Sequence, residues 1–347
     1  MPPTAAIRHV VPPGIESVRL VDYLKACLVA VPVTEIGDLI TGGFVAIDSR
    51  DGGSAFRGRD TDNRGQVGRT IDRLNGGDRI SIDAAELARL ESTSRWNPPW
   101  DHPVAILHED DDVLVVAKPA GMHVHPLADR RERTLINALV FHAGVRPGHP
   151  WGNWRPHVVQ RLDRVVAGLL VVARSAEAKA ALVREQKRGE LSRTYVAMVS
   201  GVVERDAGII DAAIGRDPLV RGRRCVQADG MQRAITHWKV IARREDRTLV
   251  ELRPETGRTH QLRVHLASIG HPILFDDLYQ PADSSPDASC GQSASREIAQ
   301  NHARAIALHA SEVRFRHPRS GDFLCFRLDP PEDFGVVAAP SLSPAAP

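Results

Sequence analysis

Apolar and polar positions along this chain switch repeatedly between periods near 3.6 and 2 residues, which predicts helices and strands in alternation. Near the start, Val18, Leu20, Tyr23, Leu24 and Leu28 recur at helical spacing, and Ile36, Leu39 and Ile40 do so again before Gly42-Gly43. Residues 44–47 and 79–82 read as strands on either side of a Gly-, Asp- and Arg-rich polar loop at 51–65. Beyond residue 103 the strands multiply. Residues 104–108 and 113–117 flank a turn. An apolar run over 165–174 has the unbroken character of a strand buried on both faces, and 193–201 is another strand. Residues 235–241 and 248–252 form a hairpin, and 306–310, 313–317 and 323–328 are short strands. Helices are predicted over 134–142, with Thr134 as N-cap, and over 175–189, opened by Ser175 and ended by Gly189. Many strands with few interleaved helices indicate an α+β protein. Its centre is a mixed, largely antiparallel sheet with flanking helices, and a small N-terminal α/β domain precedes it.

The same pattern divides the chain. Residues 1–16 are Pro-rich and read as flexible, 17–83 as a compact module, and 84–102 as a linker. The linker carries Trp96-Asn97-Pro98-Pro99-Trp100, where two prolines forbid a continuing helix. The main domain spans 103–334, and an Ala/Pro/Ser tail at 335–347 reads as disordered. Within the main domain, Trp151-Gly152-Asn153-Trp154-Arg155-Pro156 reads as an exposed aromatic loop, and 280–301 as a flexible insertion.

Composition narrows the function classes. The chain has 347 residues, 42% of them hydrophobic, enough for a substantial core, and a formal net charge of +2 gives no global polyanion signal. Its cations are nearly all arginine. Guanidinium forks suit phosphate and stack on bases, although genome composition produces the same bias. Cys27, Cys225, Cys290 and Cys325 lie far apart with no C-x-x-C pair, which argues against a disulfide framework and fits a reducing cytoplasm. No run is long enough to span a bilayer, and none near Met1 reads as a signal peptide, so a soluble cytoplasmic protein is expected.

Two clusters carry chemistry. The first, Gln160-Arg161-Leu162-Asp163-Arg164, is a charged turn feeding the buried strand, and its arginines favour an ionised Asp163. By itself it also reads as a solvated ion pair. The second runs from Thr256 to Gly270. Thr259 is expected to cap a helix and Gly270 to end it, with Leu262, Leu266 and Ile269 on the packed side and His260 and Arg263 on the opposite face. Arg258 sits just before the helix. A metal site is the third option, from the H-x-H of His123 and His125, but there is no H-E-x-x-H and no acidic third ligand, so no metal is expected.

Taken in order, Val113-Leu114-Val115-Val116-Ala117-Lys118-Pro119-Ala120-Gly121-Met122, the Arg161-Leu162-Asp163-Arg164 turn, Arg193-Thr194-Tyr195, and Gly257-Arg258-Thr259-His260-Gln261-Leu262-Arg263 running on to Gly270-His271-Pro272-Ile273 resemble the RluA family of RNA pseudouridine synthases. The resemblance covers about residues 103–334. It implies the pseudouridine synthase fold and isomerisation of chosen uridines in RNA, without a cofactor. It implies Asp163 as the catalytic carboxylate and Tyr195 as the tyrosine beside the base. Arg263 best matches the arginine that pairs with the aspartate, and Arg258 is the second candidate. Arg161 matches an arginine that holds or replaces the flipped base, and Leu162, His260 and Gln261 join Arg161 and Arg258 as substrate-binding residues. Gln160 stands where the family usually has His, and Val166-Ala167 where it has Thr-Ser.

Residues 17–83 resemble an S-four-type RNA-binding domain, through the helix pair, Gly43-Phe44-Val45-Ala46-Ile47 and Gly77-Asp78-Arg79-Ile80-Ser81-Ile82. The expected partner is RNA, with large-subunit ribosomal RNA first and transfer RNA second, and the expected state is a monomer. The competing readings are an RNA-binding protein that keeps the fold without catalysis, and a metal-dependent hydrolase.

Overall fold

A computed structural model describes residues 6–48, 66–67, 72–92, 97–127, 131–146, 149–226, 232–280 and 305–331. The polar loop at 51–65, Trp96, the insertion at 281–301 and the tail beyond 331 lie outside the described residues. Residues divide into two compact units, 1–104 with 125–157, and 105–124 with 158–347.

In the first unit, β1 (Ala6–Val10), β2 (Val18–Arg19), α1 (Leu20–Cys27), α2 (Val33–Thr41), β3 (Val45–Asp48), β4 (Gln66–Val67), β5 (Arg73–Leu74), β6 (Arg79–Asp83) and α3 (Ala84–Glu91) follow one another, and α4 (Leu135–His142) joins them. A four-stranded sheet has the order β1-β6-β3-β4. β1 corrects the expectation that residues 1–16 are all flexible. Ala6–Val10 alternates in exposure and pairs antiparallel with β6 from Ala6↔Asp83 to Val10↔Arg79, so the strand exists through its long-range ladder rather than through local propensity.

Asp83 caps α3 by accepting from the amides of Ala85 and Glu86. Thr134 caps α4 as expected, within a capping box closed by Asn137. The aromatic loop after α4 is not exposed. Trp151 and Trp154 are buried, and Trp151 stacks on His9 with 4.1 Å between ring centroids. The buried Arg155 guanidinium donates to the carbonyls of Lys25 (2.6 Å), Leu28 (2.6 Å) and Val29 (3.1 Å). A cation there satisfies carbonyls left open at the end of α1, and it draws the loop into this unit.

The second unit holds β7 (Ala105–Glu109), β8 (Val113–Lys118), β9 (His157–Val158), β10 (Ala167–Ala173), α5 (Ala176–Arg188), β11 (Ser192–Ser200), β12 (Ala207–Asp211), β13 (Ile214–Arg216), β14 (Arg224–Val226), β15 (Ile235–Arg243), β16 (Arg247–Pro254), α6 (Gln261–Ser268), β17 (Leu308–Arg316) and β18 (Phe323–Arg327). Its sheet has the order β12-β15-β16-β11-β17-β10-β8-β7, with β18 on β17 and β9 on β10. β10 pairs parallel with β17 and antiparallel with β8, so the sheet is mixed and mostly antiparallel. The two short strands expected over 306–317 are one strand, β17. β8 and β10 each have a neighbouring strand on both sides and are buried along almost their whole length, which explains their unbroken apolar sequence. α5 packs Ala178 and Leu182 against Val113, Val115, Leu169, Val171 and Phe315. Ser175 accepts from the Ala178 amide at its N-cap, and Gly189 ends it in the left-handed conformation.

Gly168, just after the Asp163 turn, lies close against the backbone of β17. Its φ is +120°, and a Cβ there would lie 2.4 Å from the Ala310 carbonyl oxygen. Gly168→Ala is expected to prise β10 from β17 and destabilise the protein by about 2–5 kcal/mol, combining backbone strain with overpacking. Denaturant melting checks this, and an unchanged midpoint contradicts it.

Candidate active site

The Asp163 turn is pinned from below. Its carbonyl accepts from the Val166 amide (3.1 Å), and the next carbonyl, of Arg164, accepts from the Gly121 amide (2.7 Å) and from Lys118 Nζ (3.3 Å). Lys118 is only 1% exposed, and its Nζ also donates to the carbonyls of Pro119 (2.8 Å) and Met122 (2.9 Å). Burial pulls its pKa down to about 7, the Arg164 charge acting the same way and Asp163 opposing. Three carbonyl acceptors call for three N–H donors, which only the ammonium form supplies. One buried lysine thus ties the turn after β8 to the turn carrying Asp163, and its sequence context offered no sign of this beyond its place at the end of an apolar strand.

Arg263 meets Asp163 as expected, with Nη1 3.3 Å from Oδ2. The same guanidinium makes a two-pronged pair with Asp276, Nε to Oδ2 at 2.6 Å and Nη2 to Oδ1 at 2.7 Å. Burial opposes the charge on Arg263. The hydrogen bonds and attraction of Asp276, helped by Asp163, outweigh that and hold its pKa above the ordinary value. The two carboxylates differ in access. The Asp276 side chain is 1% exposed and that of Asp163 is 27% exposed, so only Asp163 is open to a substrate. Asp276 escaped the sequence reading. The signal was available in principle: an arginine buried deeply enough to face an active carboxylate needs a second, fully desolvated counter-charge.

Tyr195 lies in β11, 6% exposed, where the ladder with β17 shifts register between Thr194 and Tyr195. Such a bulge re-aims side chains. Burial raises the Tyr195 pKa, Arg193 lowers it through charge and a hydrogen bond, and Asp163 raises it, so Tyr195 lies within the field of the carboxylate and carries its proton at neutral pH.

α6 differs from its expected form. Thr259 does not cap it. His260 holds the N-cap position at φ 58°, in the left-handed region, with no side-chain cap. Residues 261–266 are all buried and Ile269 is 38% exposed, so the helix is enclosed rather than amphipathic. Gly270 ends the segment at φ 85°, as expected.

Enclosure is possible because the polar side chains of α6 are satisfied internally. Gln261 Oε1 accepts from Thr256 Oγ1 and the Arg258 amide, and its Nε2 donates to the Ile235 carbonyl and to Thr236 Oγ1. His265 lies 2.9 Å from Thr236 Oγ1 through Nδ1 and 3.0 Å from the Ala212 carbonyl through Nε2. The Gln261 amide thus holds the helix against β15 and the loop before it. Arg258 is exposed and donates through Nε to the Arg233 carbonyl, and no hydrogen bond or ion pair between it and Asp163 is among the described interactions. Arg161 is exposed beside the turn, and Leu162 is buried. His260 sits with Nε2 3.9 Å from Asp163 Oδ2. Gln160, at the position where the family usually has His, is buried, and its Oε1 has no partner among the described residues.

One grouping among the described residues, Asp110, Asp112 and His317, has the spacing of metal ligands. His317 Nδ1 accepts from the amides of Arg319 (3.3 Å) and Ser320 (3.1 Å), so its proton sits on Nε2, which faces Asp110 Oδ2 at 3.2 Å. Arg319 also holds Asp112 at 2.8 Å. These contacts join two turns of the chain.

The mixed sheet thus presents an accessible carboxylate, Asp163, on a turn, against the buried Arg263 and Tyr195. The family model for RNA pseudouridylate synthase matches residues 112–268. An RNA pseudouridine synthase of Bacillus subtilis, YlyB, is 38% identical over 76% of this chain and 80% of its own length. A ribosomal large subunit pseudouridine synthase D of Zymomonas mobilis is 38% identical over 70% of this chain and 74% of its own. Among solved structures, human RNA pseudouridylate synthase domain containing 4 shares the fold, with TM-score 0.52 and 24% identity over 67% of this chain and 90% of its own. This chain belongs to the RNA pseudouridylate synthase family, and it is an isomerase that acts on RNA. Among the described residues no helix is long and apolar enough to cross a membrane.

Proposed function

We propose that this enzyme isomerises specific uridines of large-subunit ribosomal RNA in the cytoplasm, with Asp163 as its catalytic carboxylate. The observation that carries the reading is the Arg263 fork, shared between a sealed carboxylate, Asp276, and an open one, Asp163. In the reaction the N1–C1′ glycosidic bond breaks, a C5–C1′ bond forms and C5 gives up its proton. Breaking a glycosidic bond builds positive charge on the sugar, which an ionised carboxylate stabilises, as in glycosidases. Asp163 acts on the ribose either as a nucleophile at C1′ or as a base at C2′, and both routes need it charged and accessible. The target base has to leave its stack first. Tyr195 then lies against the base, while Arg161, Leu162, Arg258 and His260 bind the surrounding nucleotide. No cofactor enters, because nothing is oxidised and no group is imported.

Ribosomal RNA as the substrate is supported by the relatives named for the large ribosomal subunit. The module at 17–83, of S-four type by its motifs, is proposed to add a second RNA contact, and the enzyme is proposed to act as a monomer. Carbodiimide-based mapping of pseudouridines in RNA from cells with and without the gene tests the assignment. Loss of one or a few sites in large-subunit ribosomal RNA is expected. Loss in transfer RNA alone would move the substrate, and no loss anywhere would leave a non-catalytic RNA-binding protein.

A further inference from the structure

The catalytic reading uses Asp163, Tyr195 and Arg263 and leaves unexplained why a tyrosine far along the chain closes around them. Tyr279 is buried in a small cluster with Ile214, Ala234 and Val264 of α6. Its ring lies beneath Arg263, whose Cζ is 5.0 Å from the ring centroid, and it meets the His260 ring edge-on with centroids 5.8 Å apart. Its hydroxyl makes two hydrogen bonds. The Arg224 amide of β14 lies 3.0 Å away, and His260 Nδ1 lies 2.8 Å away.

The direction of these bonds follows from what each group can do. A backbone amide only donates, so Tyr279 Oη accepts from Arg224. Among the described residues His260 Nδ1 is the hydroxyl's only other hydrogen-bond partner, so the phenolic proton goes to Nδ1. Burial pushes the Tyr279 pKa up to about 12, which keeps that proton in place. A His260 that accepts at Nδ1 carries its own proton on Nε2, and Nε2 is the atom that faces Asp163 Oδ2 at 3.9 Å.

The charges around His260 come from several elements. Asp163 and Asp276 favour its protonation, Arg263 and Arg224 oppose it, and burial, the largest influence, leaves its pKa below the ordinary value. At neutral pH it is therefore an uncharged donor. The same oxygen, Oδ2, is the one held by Arg263 Nη1.

We propose that Tyr279 is a positioning residue of the isomerase: its hydroxyl locks His260 in the Nε2–H tautomer, so that His260 and Arg263 both address Asp163 Oδ2 and leave Oδ1 as the reacting oxygen. The inference deepens the assignment of Asp163 and rests on it. His260 has a left-handed backbone, and its ring contacts Tyr279 through Nδ1 and faces Asp163 through Nε2.

The test is direct. Nitrogen-15 shifts of the His260 ring, identified by difference against His260→Gln, are measured in the wild-type enzyme at neutral pH. Nδ1 is expected at the position of an acceptor nitrogen and Nε2 at that of a protonated one. An Nδ1–H tautomer or an imidazolium overturns the proposal, whatever the activity does. Tyr279→Phe keeps the ring under Arg263 and removes only the hydroxyl. It is expected to release the tautomer preference and lower kcat about tenfold, the scale of one lost hydrogen bond, with KM for RNA unchanged. A merely structural tyrosine would change stability and leave the ring shifts and the kcat-to-KM split alone, and that result also overturns the proposal. Failure of the Asp163 assignment shows up separately, as activity retained in Asp163→Asn.

Discussion

Asp163→Asn is expected to lower kcat by at least about 10³-fold, or about 4 kcal/mol of transition-state stabilisation, while RNA still binds and the protein still melts cooperatively. The substitution keeps shape and volume and removes the charge, so it separates chemistry from architecture. The turn survives because its anchors are backbone carbonyls and amides: Asp163 to Val166, Arg164 to Gly121, and Lys118 to Arg164. Arg263 survives because its two short bonds go to Asp276, whereas its contact with Asp163 is the long one at 3.3 Å. An amide at this place neither attacks C1′ nor removes a proton from C2′, and it gives little stabilisation to a developing cation. Release of tritium from RNA labelled at carbon five of uridine measures the rate, and a binding assay with the same RNA measures affinity. Activity within tenfold of wild type would remove Asp163 from the catalytic role.

The second large effect is on stability. Asp276→Ala should cost about 3–5 kcal/mol, the range for removing one partner of a buried ion pair, and lower the melting temperature on the order of 10 °C for a domain of this size. The reason is desolvation. The Arg263 side chain is 7% exposed and keeps its charge, so without Asp276 it faces a buried environment with only the single contact to Asp163. Drawn fully to Asp163, it would also restrict the carboxylate, and kcat should fall as well. A surface pair provides the control. Asp246 and Arg247 are 2.8 Å apart but 68% and 46% exposed, and Asp246→Ala should cost under about 1 kcal/mol. Equal losses from the two alanine substitutions would show that burial is not what gives the Arg263–Asp276 pair its importance.

These two expectations differ in how far they can be read from the chain as written. Asp163 is legible because a charged turn before an unbroken apolar strand is a local pattern, and because the motifs containing Tyr195 and Arg263 follow it in order. Asp276 is legible only as a need. Nothing in Asp276-Asp277-Leu278-Tyr279 says which of two adjacent aspartates turns inward, and the structure buries the first while leaving the second exposed. Similarly, Gln261 sits in a motif that suggests substrate contact, and its four hydrogen bonds to the loop before α6 and to β15 appear only once those pieces meet.

The sequence by itself determined the elements whose cause is local. The buried runs of β8 and β10, the Ser175 and Gly189 ends of α5, the Thr134 capping box and the mixed α+β character all follow from periodicity and from side chains within four residues of the groups they satisfy. The tertiary structure decided everything that depends on partners distant in the chain. It paired β1 with β6 across some seventy residues of sequence. It buried Trp151 and Trp154, set Lys118 against the Asp163 turn, and enclosed α6 where the chain's own pattern suggested a solvated face. The physical reason is the same in each case. A hydrogen bond or an ion pair inside a protein is worth having only where water is excluded, and which polar groups lose their water is settled by how the elements pack.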